Sequence, residues 1–307
     1  DMTKVLFKIY MAFTVCAFII FLICGMDFTG AVNHALSTVS AGGFSTYNES
    51  AAYFDDVYVE GWMTFFMVLA GGNFGLYYRA YHKGAAVLLK DTEFKAYLSI
   101  LVVAAIIIIG DLMVELDSDF FTALRYAAFQ TASIATTGFV SADYDRWPVL
   151  SKFVLMGLMI CGGCAGSTAA GLKISRVVIL FRSVRATVLH LLYPKHVVEV
   201  MMNGTTLHDS TVLRVGQYFF MYIFFILFFA LLLAFDGVGG FDALGISVST
   251  MGCIGPAFGV TGATCTYADL SWFSKTVICF SMLLGRLEIF TILVMLRPGL
   301  WKGKNTW

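Results

Sequence analysis

The sequence predicts an all-α integral membrane protein built from pseudo-symmetric repeats, each a helix, a re-entrant pore loop and a second helix. Three observations carry that prediction. The first is apolarity: 59% of the 307 residues are hydrophobic and 13% charged, where a soluble domain carries about 25% charged residues. Mean hydropathy is +0.82. The second is an order of long apolar stretch, short half-apolar segment, Gly-rich loop and long apolar stretch, occurring three times at a spacing of about 100 residues. The third is the sorting of charge between the two ends of these stretches.

Six apolar stretches, 5–25, 61–80, 96–116, 149–180, 214–235 and 272–296, read as membrane spans, each long enough for the helix of about 20 residues that a bilayer needs. The first has no cleavage-site pattern behind it and reads as a span, not a signal peptide. The start at Asp1 rather than Met points to an upstream segment. Three shorter segments, 28–46, 119–141 and 240–261, begin too short to span and end in Gly, Ser and Thr.

Aligned on their last glycine, the three loops give the candidate filter residues. They are Ser40, Ala41, Gly42 and Gly43 in the first, Ala135, Thr136, Thr137 and Gly138 in the second, and Gly252, Cys253, Ile254 and Gly255 in the third. Acidic residues cluster around these segments: Asp27, Glu49, Asp55, Asp56 and Glu60, then Glu115, Asp117, Asp119, Asp143 and Asp145, then Asp236, Asp242 and Asp269. The opposite ends carry Lys4, Lys8, Arg79, Lys83, Lys90, Lys95, Arg176, Arg182, Arg185, Lys195, Arg214, Arg297, Lys302 and Lys304. Basic loops stay in the cytoplasm, so all three hairpins are expected to open their Gly-rich loops outward.

Irregular backbone at membrane depth survives only where protein buries it or it lines a water-filled cavity. Three such loops approached from one face most economically share one cavity. Glycine allows positive φ, and carbonyl oxygens turned toward a common axis replace a cation's hydration shell. The hydroxyls of Ser40, Thr136 and Thr137 are expected to extend that oxygen ladder, and the acidic rim to concentrate cations at the mouth. The alternative, that the small residues mark close helix packing, suits one loop better than three in register.

The stretch from Ser151 to Tyr193 is too long for one span, and the run GGCAGSTAAGLK interrupts it. Each of Gly162, Gly163, Gly166 and Gly171 costs a helix about 1 kcal/mol relative to Ala. The run is therefore expected to unwind beneath the filter. It forms the candidate gate: Gly162, Gly163, Cys164, Ala165, Gly166, Ser167, Thr168, Ala169, Ala170 and Gly171. Arg286 joins it as a candidate electrostatic barrier, since a charge at membrane depth faces a cavity or a partner. Glu288 stands two residues away, on a different helix face, which disfavours a mutual pair. Lys173 closes the loop.

Other signals exclude functions. The net charge of zero argues against nucleic acid as a partner. The seven cysteines read as small buried hydrophobes, not a disulfide framework. Cys161 and Cys164 form a CxxC without a companion pair or His cluster. His190 and His196 lack i, i+4 spacing, and no hydrolase or nucleotide-binding motif is present. His34 reads as an interfacial side chain. An intramembrane hydrolase would need a Ser/His, Asp/Asp or zinc constellation, and none is evident.

The runs NHALSTVSAGGFSTYN (Asn33–Asn48), ASIATTGFVSADYDRWP (Ala132–Pro148), GGCAGSTAAGLKISR (Gly162–Arg176), STMGCIGPAFG (Ser249–Gly259) and GRLEIFTILVML (Gly285–Leu296) resemble the TrkH/KtrB/HKT superfamily of potassium transporters, its TrkH branch in particular. The resemblance implies four helix–pore-loop–helix units around one pore, of which three are present here. Residues 1–90, 91–195 and 196–307 would correspond to the second, third and fourth units. It implies Gly43, Gly138 and Gly255 as filter glycines, Gly162–Gly171 as the intramembrane gating loop and Arg286 as the pore-barrier arginine. Potassium would be the transported ion, with no organic cofactor, in a multi-pass protein of a bacterial inner membrane.

The resemblance further implies a homodimer in the lipid bilayer and a cytoplasmic, nucleotide-binding TrkA-like regulatory ring. The basic segment Arg182–Arg214 and the C-terminal tail are the expected contact surfaces for that ring. A sodium-conducting or non-conducting homologue is the alternative. Two departures stand out: one unit is missing, and the third filter carries Cys253 and Ala257 where the family usually has Asn and Gly.

Overall fold

The computed structural model describes residues 2–195 and 198–297, so His196 and the tail lysines Lys302 and Lys304 lie outside the described residues. Three times the chain runs from a long helix to a short helix, an irregular loop and a broken helical stretch. In the first unit α1 (Met2–Ile23) is followed by the short α2 (Phe28–Val39), then α3 (Val57–Gly71), α4 (Phe74–Lys83) and α5 (Ala86–Lys90). In the second, α6 (Thr92–Glu115) leads to the short α7 (Phe120–Thr136), then α8 (Val149–Cys161) and α9 (Ile174–Leu192). A small antiparallel hairpin, β1 (Met201–Met202) and β2 (Thr205–Thr206), precedes the third. There α10 (Asp209–Phe235) leads to the short α11 (Gly240–Met251), then α12 (Trp272–Leu287) and α13 (Ile289–Met295).

Among the described residues three helices, α1, α6 and α10, are single spans long and apolar enough to cross a membrane. Their outer faces leave Ile19, Ile23, Val102, Ile106, Phe220 and Leu231 uncovered by protein. Large apolar side chains in such numbers suit lipid, not water. The expectation of unbroken spans at 61–80 and 272–296 is corrected: the closing helix of every unit is broken, not that of the second alone. The stretch 61–80 divides at Gly72 and Asn73, where the Asn73 side chain accepts from Leu76 N and caps α4. The stretch 272–296 bends by 105° between α12 and α13, at Glu288 with φ of 61°. The break at Gly162–Lys173 is where the glycine run placed it.

Two of the three short helices are started by chemistry legible in their first residues, whereas α11 follows Gly239 without a side-chain cap. The carboxylates of Asp27 and Asp119 accept from Gly30 N and Phe121 N at the starts of α2 and α7, the usual N-cap arrangement. Part of the acidic rim is thus committed to capping. The pore helices then run inward and are buried at their C-terminal ends. From Phe129 to Thr136 every residue of α7 is buried, as is every residue from Gly245 to Met251 in α11.

The apolar interior forms two clusters. One joins the second and third units through residues such as Ile108, Ile134, Met159, Tyr222, Met251 and Phe258. The other belongs to the first unit, with Phe21, Met63 and Met67, and reaches Phe129 and Phe139 of the second. The three units therefore pack side by side in chain order, with α7 in the middle.

Candidate functional site

The three Gly-rich loops leave the C-termini of α2, α7 and α11 and meet one another. Loops one and three share a backbone conformation. Ser40 and Gly252 are the last right-handed residues, with φ/ψ of −76°/−5° and −76°/−9°, and Ala41 and Cys253 follow at φ of 55° and 52°. Gly42 N then donates to Ser37 O and Ile254 N to Ser249 O, at 2.8 and 3.0 Å. These are the 6→1 bonds of a Schellman ending. Counted from the final glycine, loop two continues its helix two residues further, and Gly138 N donates to Ser133 O at 2.8 Å.

A serine five or six residues before the last glycine of each loop was not singled out from the sequence, although it recurs in all three loops. Ser133 Oγ donates to Phe139 O at 2.5 Å and Ser249 Oγ to Pro256 O at 2.8 Å. Each bond folds the chain just past the glycine back onto its own pore helix. The corresponding Ser37 hydroxyl is buried and makes no hydrogen bond. His34 is not interfacial as expected. It is fully buried, with Nδ1 on Gly30 O and Nε2 on Ser45 Oγ at 2.7 and 2.9 Å, so it fastens the exit of loop one to α2.

The last glycines of the loops set the spacing between them. A methyl added at Gly43 would lie 2.3 Å from Thr137 O, and one at Gly138 would lie 1.9 Å from Ile254 O. Both are far inside contact distance, so loop one abuts loop two and loop two abuts loop three through bare backbone. A methyl at Gly255 would meet nothing within 4 Å. Among the described residues, the carbonyls of Gly42, Thr137 and Ile254 accept no hydrogen bond. Uncharged oxygens of this kind can replace the water of a monovalent cation.

The hydroxyl ladder is corrected in part. Thr136 remains helical, donates to Ala132 O at 2.7 Å and packs its methyl toward Gly71. Its side chain therefore serves packing. Thr137 Oγ1 lies 3.0 Å from Thr136 Oγ1, and Ser40 Oγ donates to Ser37 O at 3.3 Å.

Beneath the loops, residues 162–173 form an irregular segment held from four sides. Cys164 N donates to Gly71 O at 2.8 Å and Phe74 N to Gly166 O at 3.2 Å, which docks the segment on the α3–α4 break. Thr168 Oγ1 donates to Val39 O at 2.9 Å, directly behind the first filter loop. Ala165 N and Ser175 N both donate to the buried Glu93 carboxylate. Arg286 Nη1 donates to Thr168 O at 3.0 Å. The Gly162 turn, at φ of 67°, leaves no room for a side chain against Ala170 O.

Glu288 does not pair with Arg286. Its carboxylate takes Arg176 Nη2 at 2.9 Å, and the same guanidinium lies 3.9 Å from the Tyr218 ring centre. Lys173 Nζ donates to Ala169 O within the segment. Three cations, Lys173, Arg176 and Arg286, thus gather around the segment with two carboxylates, Glu93 and Glu288, among them. Sequence reading named Arg286 and Lys173 but missed Glu93, Thr168's bond to Val39, and the breaks at Gly72 and Glu288. The cysteines are free thiols, and among the described residues no group of three or more His, Cys, Asp or Glu side chains is placed to hold a metal ion.

The fold has known relatives. The TrkH family, described as a cation transport protein, matches residues 1–304. The chain is 34% identical over 308 residues to the Trk system potassium uptake protein TrkH of Halomonas elongata, covering 98% of this chain and 63% of that protein. It is 30% identical to the protein of the same name from Escherichia coli K12, covering 98% of this chain and again 63% of that one. The crystal structure of the potassium transporter TrkH from Vibrio parahaemolyticus superposes with a TM-score of 0.90 at 30% identity, over 97% of this chain and 64% of that chain. The chain therefore spans somewhat under two thirds of the relatives it matches. With nearly its whole length matched in sequence and in fold, this chain belongs to the TrkH family of cation transport proteins.

Proposed function

We propose that these residues form three quarters of a potassium pathway. Cations would be coordinated at Ser40–Gly43, Ala135–Gly138 and Gly252–Gly255, then pass a constriction made by Gly162–Gly171 and the Arg286 guanidinium. The observation that carries this reading is the side-by-side stacking of the three loops, with Gly43 against Thr137 O and Gly138 against Ile254 O. The units 1–90, 91–195 and 196–307 are taken as the repeats of that pore. The relatives' printed names, potassium uptake proteins, supply the ion.

The ring has two open edges. Gly255 faces open space, whereas its counterparts meet the next loop. On the other side Phe44 is 80% exposed, whereas Phe139, at the same loop position, is fully buried. Ser37, unlike Ser133 and Ser249, has no carbonyl to hold. These features support a fourth loop of the same kind seated between loops three and one, contributed from outside these residues. The residues described would conduct only in that company.

A bacterial inner membrane, a homodimer and a cytoplasmic nucleotide-binding ring against Arg182–Arg214 complete the proposal. The test is rescue of a potassium-uptake-deficient bacterium at low external potassium, using the gene with its upstream region and the Gly138→Ser variant beside it. Growth that the Gly138 change abolishes supports the pathway. No growth despite verified membrane expression overturns it in favour of a sodium-conducting or non-conducting protein.

A further inference from the structure

Glu93 is a carboxylate with 6% exposure in the first turn of α6. A charge buried there is expensive unless its lone pairs are used. One oxygen, Oε1, accepts from both Ala165 N and Ser175 N, the second at 3.2 Å. Ala165 lies in the irregular segment and Ser175 in the first turn of α9 just after it. Glu93 thus grips the segment on both sides of its Gly166–Lys173 arc. Neither backbone N–H has another partner among the described residues. Without the carboxylate, two buried donors would be left unmet, at about 1–3 kcal/mol each.

The turn that carries Glu93 is itself braced. Asp91 caps α6 by accepting from Phe94 N at 3.0 Å. Asn203 accepts from Thr92 N through Oδ1 and donates to Asp91 Oδ2 through Nδ2, both at 2.8 Å. Asn203 and Gly204 sit at φ of 51° and 80° between β1 and β2, the two-residue turn that Asn-Gly favours. Arg182 of α9 holds the other side of this hairpin by donating to Met201 O. The hairpin therefore links the start of α6, which carries Glu93, to α9, which follows the segment.

We propose that Glu93 is the positioning residue that keeps the 162–173 segment across the pathway, and that Asn203, through Asp91 and Thr92, keeps Glu93 in place. This rests on the reading of that segment as the gate, but its test reads the segment's position directly. Cys164 is fully buried within the segment, so its thiol reports displacement. The experiment is peptide-resolved maleimide labelling of Cys164 in membranes containing the full-length protein, with potassium uptake measured in the same cells. The variants are Glu93→Met, Glu93→Gln and Asn203→Ala.

Glu93→Met keeps the volume and loses both acceptors, so Cys164 labelling should rise about tenfold or more. Glu93→Gln keeps an acceptor oxygen without the charge and should fall between. Asn203→Ala, at an exposed turn, should raise labelling about twofold to threefold. Wild-type labelling in Glu93→Met would mean that Glu93 merely fills space, and overturns the proposal. If Glu93→Met does not reach the membrane, unchanged labelling in both Glu93→Gln and Asn203→Ala overturns it equally. Raised labelling without any potassium uptake would leave the clamp standing and refute the pore reading instead.

Discussion

The α-carbon of Gly138 lies so close to the Ile254 carbonyl that an added methyl would sit 1.9 Å from its oxygen. Gly25 offers a matched control, because it too has positive φ, 91° against 94°, but nothing within 4 Å of the added methyl. Gly25→Ala therefore meets only the backbone penalty for left-handed φ, about 1–2 kcal/mol. Gly138→Ala adds a backbone collision that must push loop two from loop three. Expected is a modest fall in melting temperature for Gly25→Ala with uptake retained, and loss of uptake for Gly138→Ala. Equal effects of the two would remove the stacking argument.

Thr168 connects the irregular segment to the base of the first filter loop. Its hydroxyl donates to Val39 O at 2.9 Å and approaches Ala70 O at 3.3 Å, while its own carbonyl receives Arg286. Thr168→Val keeps the shape and deletes the donor, at about 1–3 kcal/mol for the carbonyl left unmet. Thr168→Ser keeps the donor. Potassium flux in vesicles should rise for the valine variant, as the segment loosens, and stay near wild type for the serine variant. A valine variant with unchanged flux would show that the Thr168 hydroxyl takes no part in restraining the segment.

The three Gly-rich loops were legible because each places glycine at the end of a half-apolar segment, a pattern independent of what packs around it. The Gly162–Gly171 break was legible for a similar reason: four glycines in ten residues cannot favour helix. The other breaks were not. Gly71, Gly72 and Asn73 are a short breaker signal masked by the apolar residues on either side, and Leu287–Glu288 contains no glycine or proline. There the positive φ accompanies a bond to Arg176, 112 residues away. Glu93 was also invisible, since an acid in the first turn of a helix ordinarily favours the dipole from solvent. The hairpin did carry a local sign, Asn203–Gly204 between short strands, which an all-helical reading passed over.

Glu60 and Arg125 join α3 to α7 through a pair in which Arg125 Nε meets Glu60 Oε2 at 2.8 Å and the Glu60 side chain is 3% exposed. Arg125 also reaches the exposed Asp55 at 2.9 Å. Replacing Arg125 by Met should destabilise the protein by about 3–5 kcal/mol, because it strands a buried carboxylate. The double variant Glu60→Leu, Arg125→Met should recover much of that loss. Both substitutions lie nearer the start than the filter end of α7, so ion selectivity in the surviving protein should not move. Detergent melting curves and selectivity measurements on the same preparations check both statements.

Asp27 supplies the pH dependence that can be assigned to the outer face. Its carboxylate accepts from Gly30 N at 3.1 Å and from the Tyr47 hydroxyl at 2.8 Å, and these bonds hold it below the ordinary carboxylate range. A depressed folded value means the group favours folding fully above its unfolded value, about 3.9. That contribution is lost as pH falls through the lower folded value. Tyr47 stacks on Tyr53 at 3.7 Å and beside His34, so protonation of Asp27 releases the aromatic group that covers loop one. Asp236, held down by the Ser271 and Ser274 hydroxyls, acts in the same sense between α10 and α12. Asp27→Asn should therefore lower the melting temperature near neutral pH. The gap to wild type should close as pH falls below about 4. A gap that stays constant down to that range would show that the Asp27 charge takes no part in holding the outer end of α2.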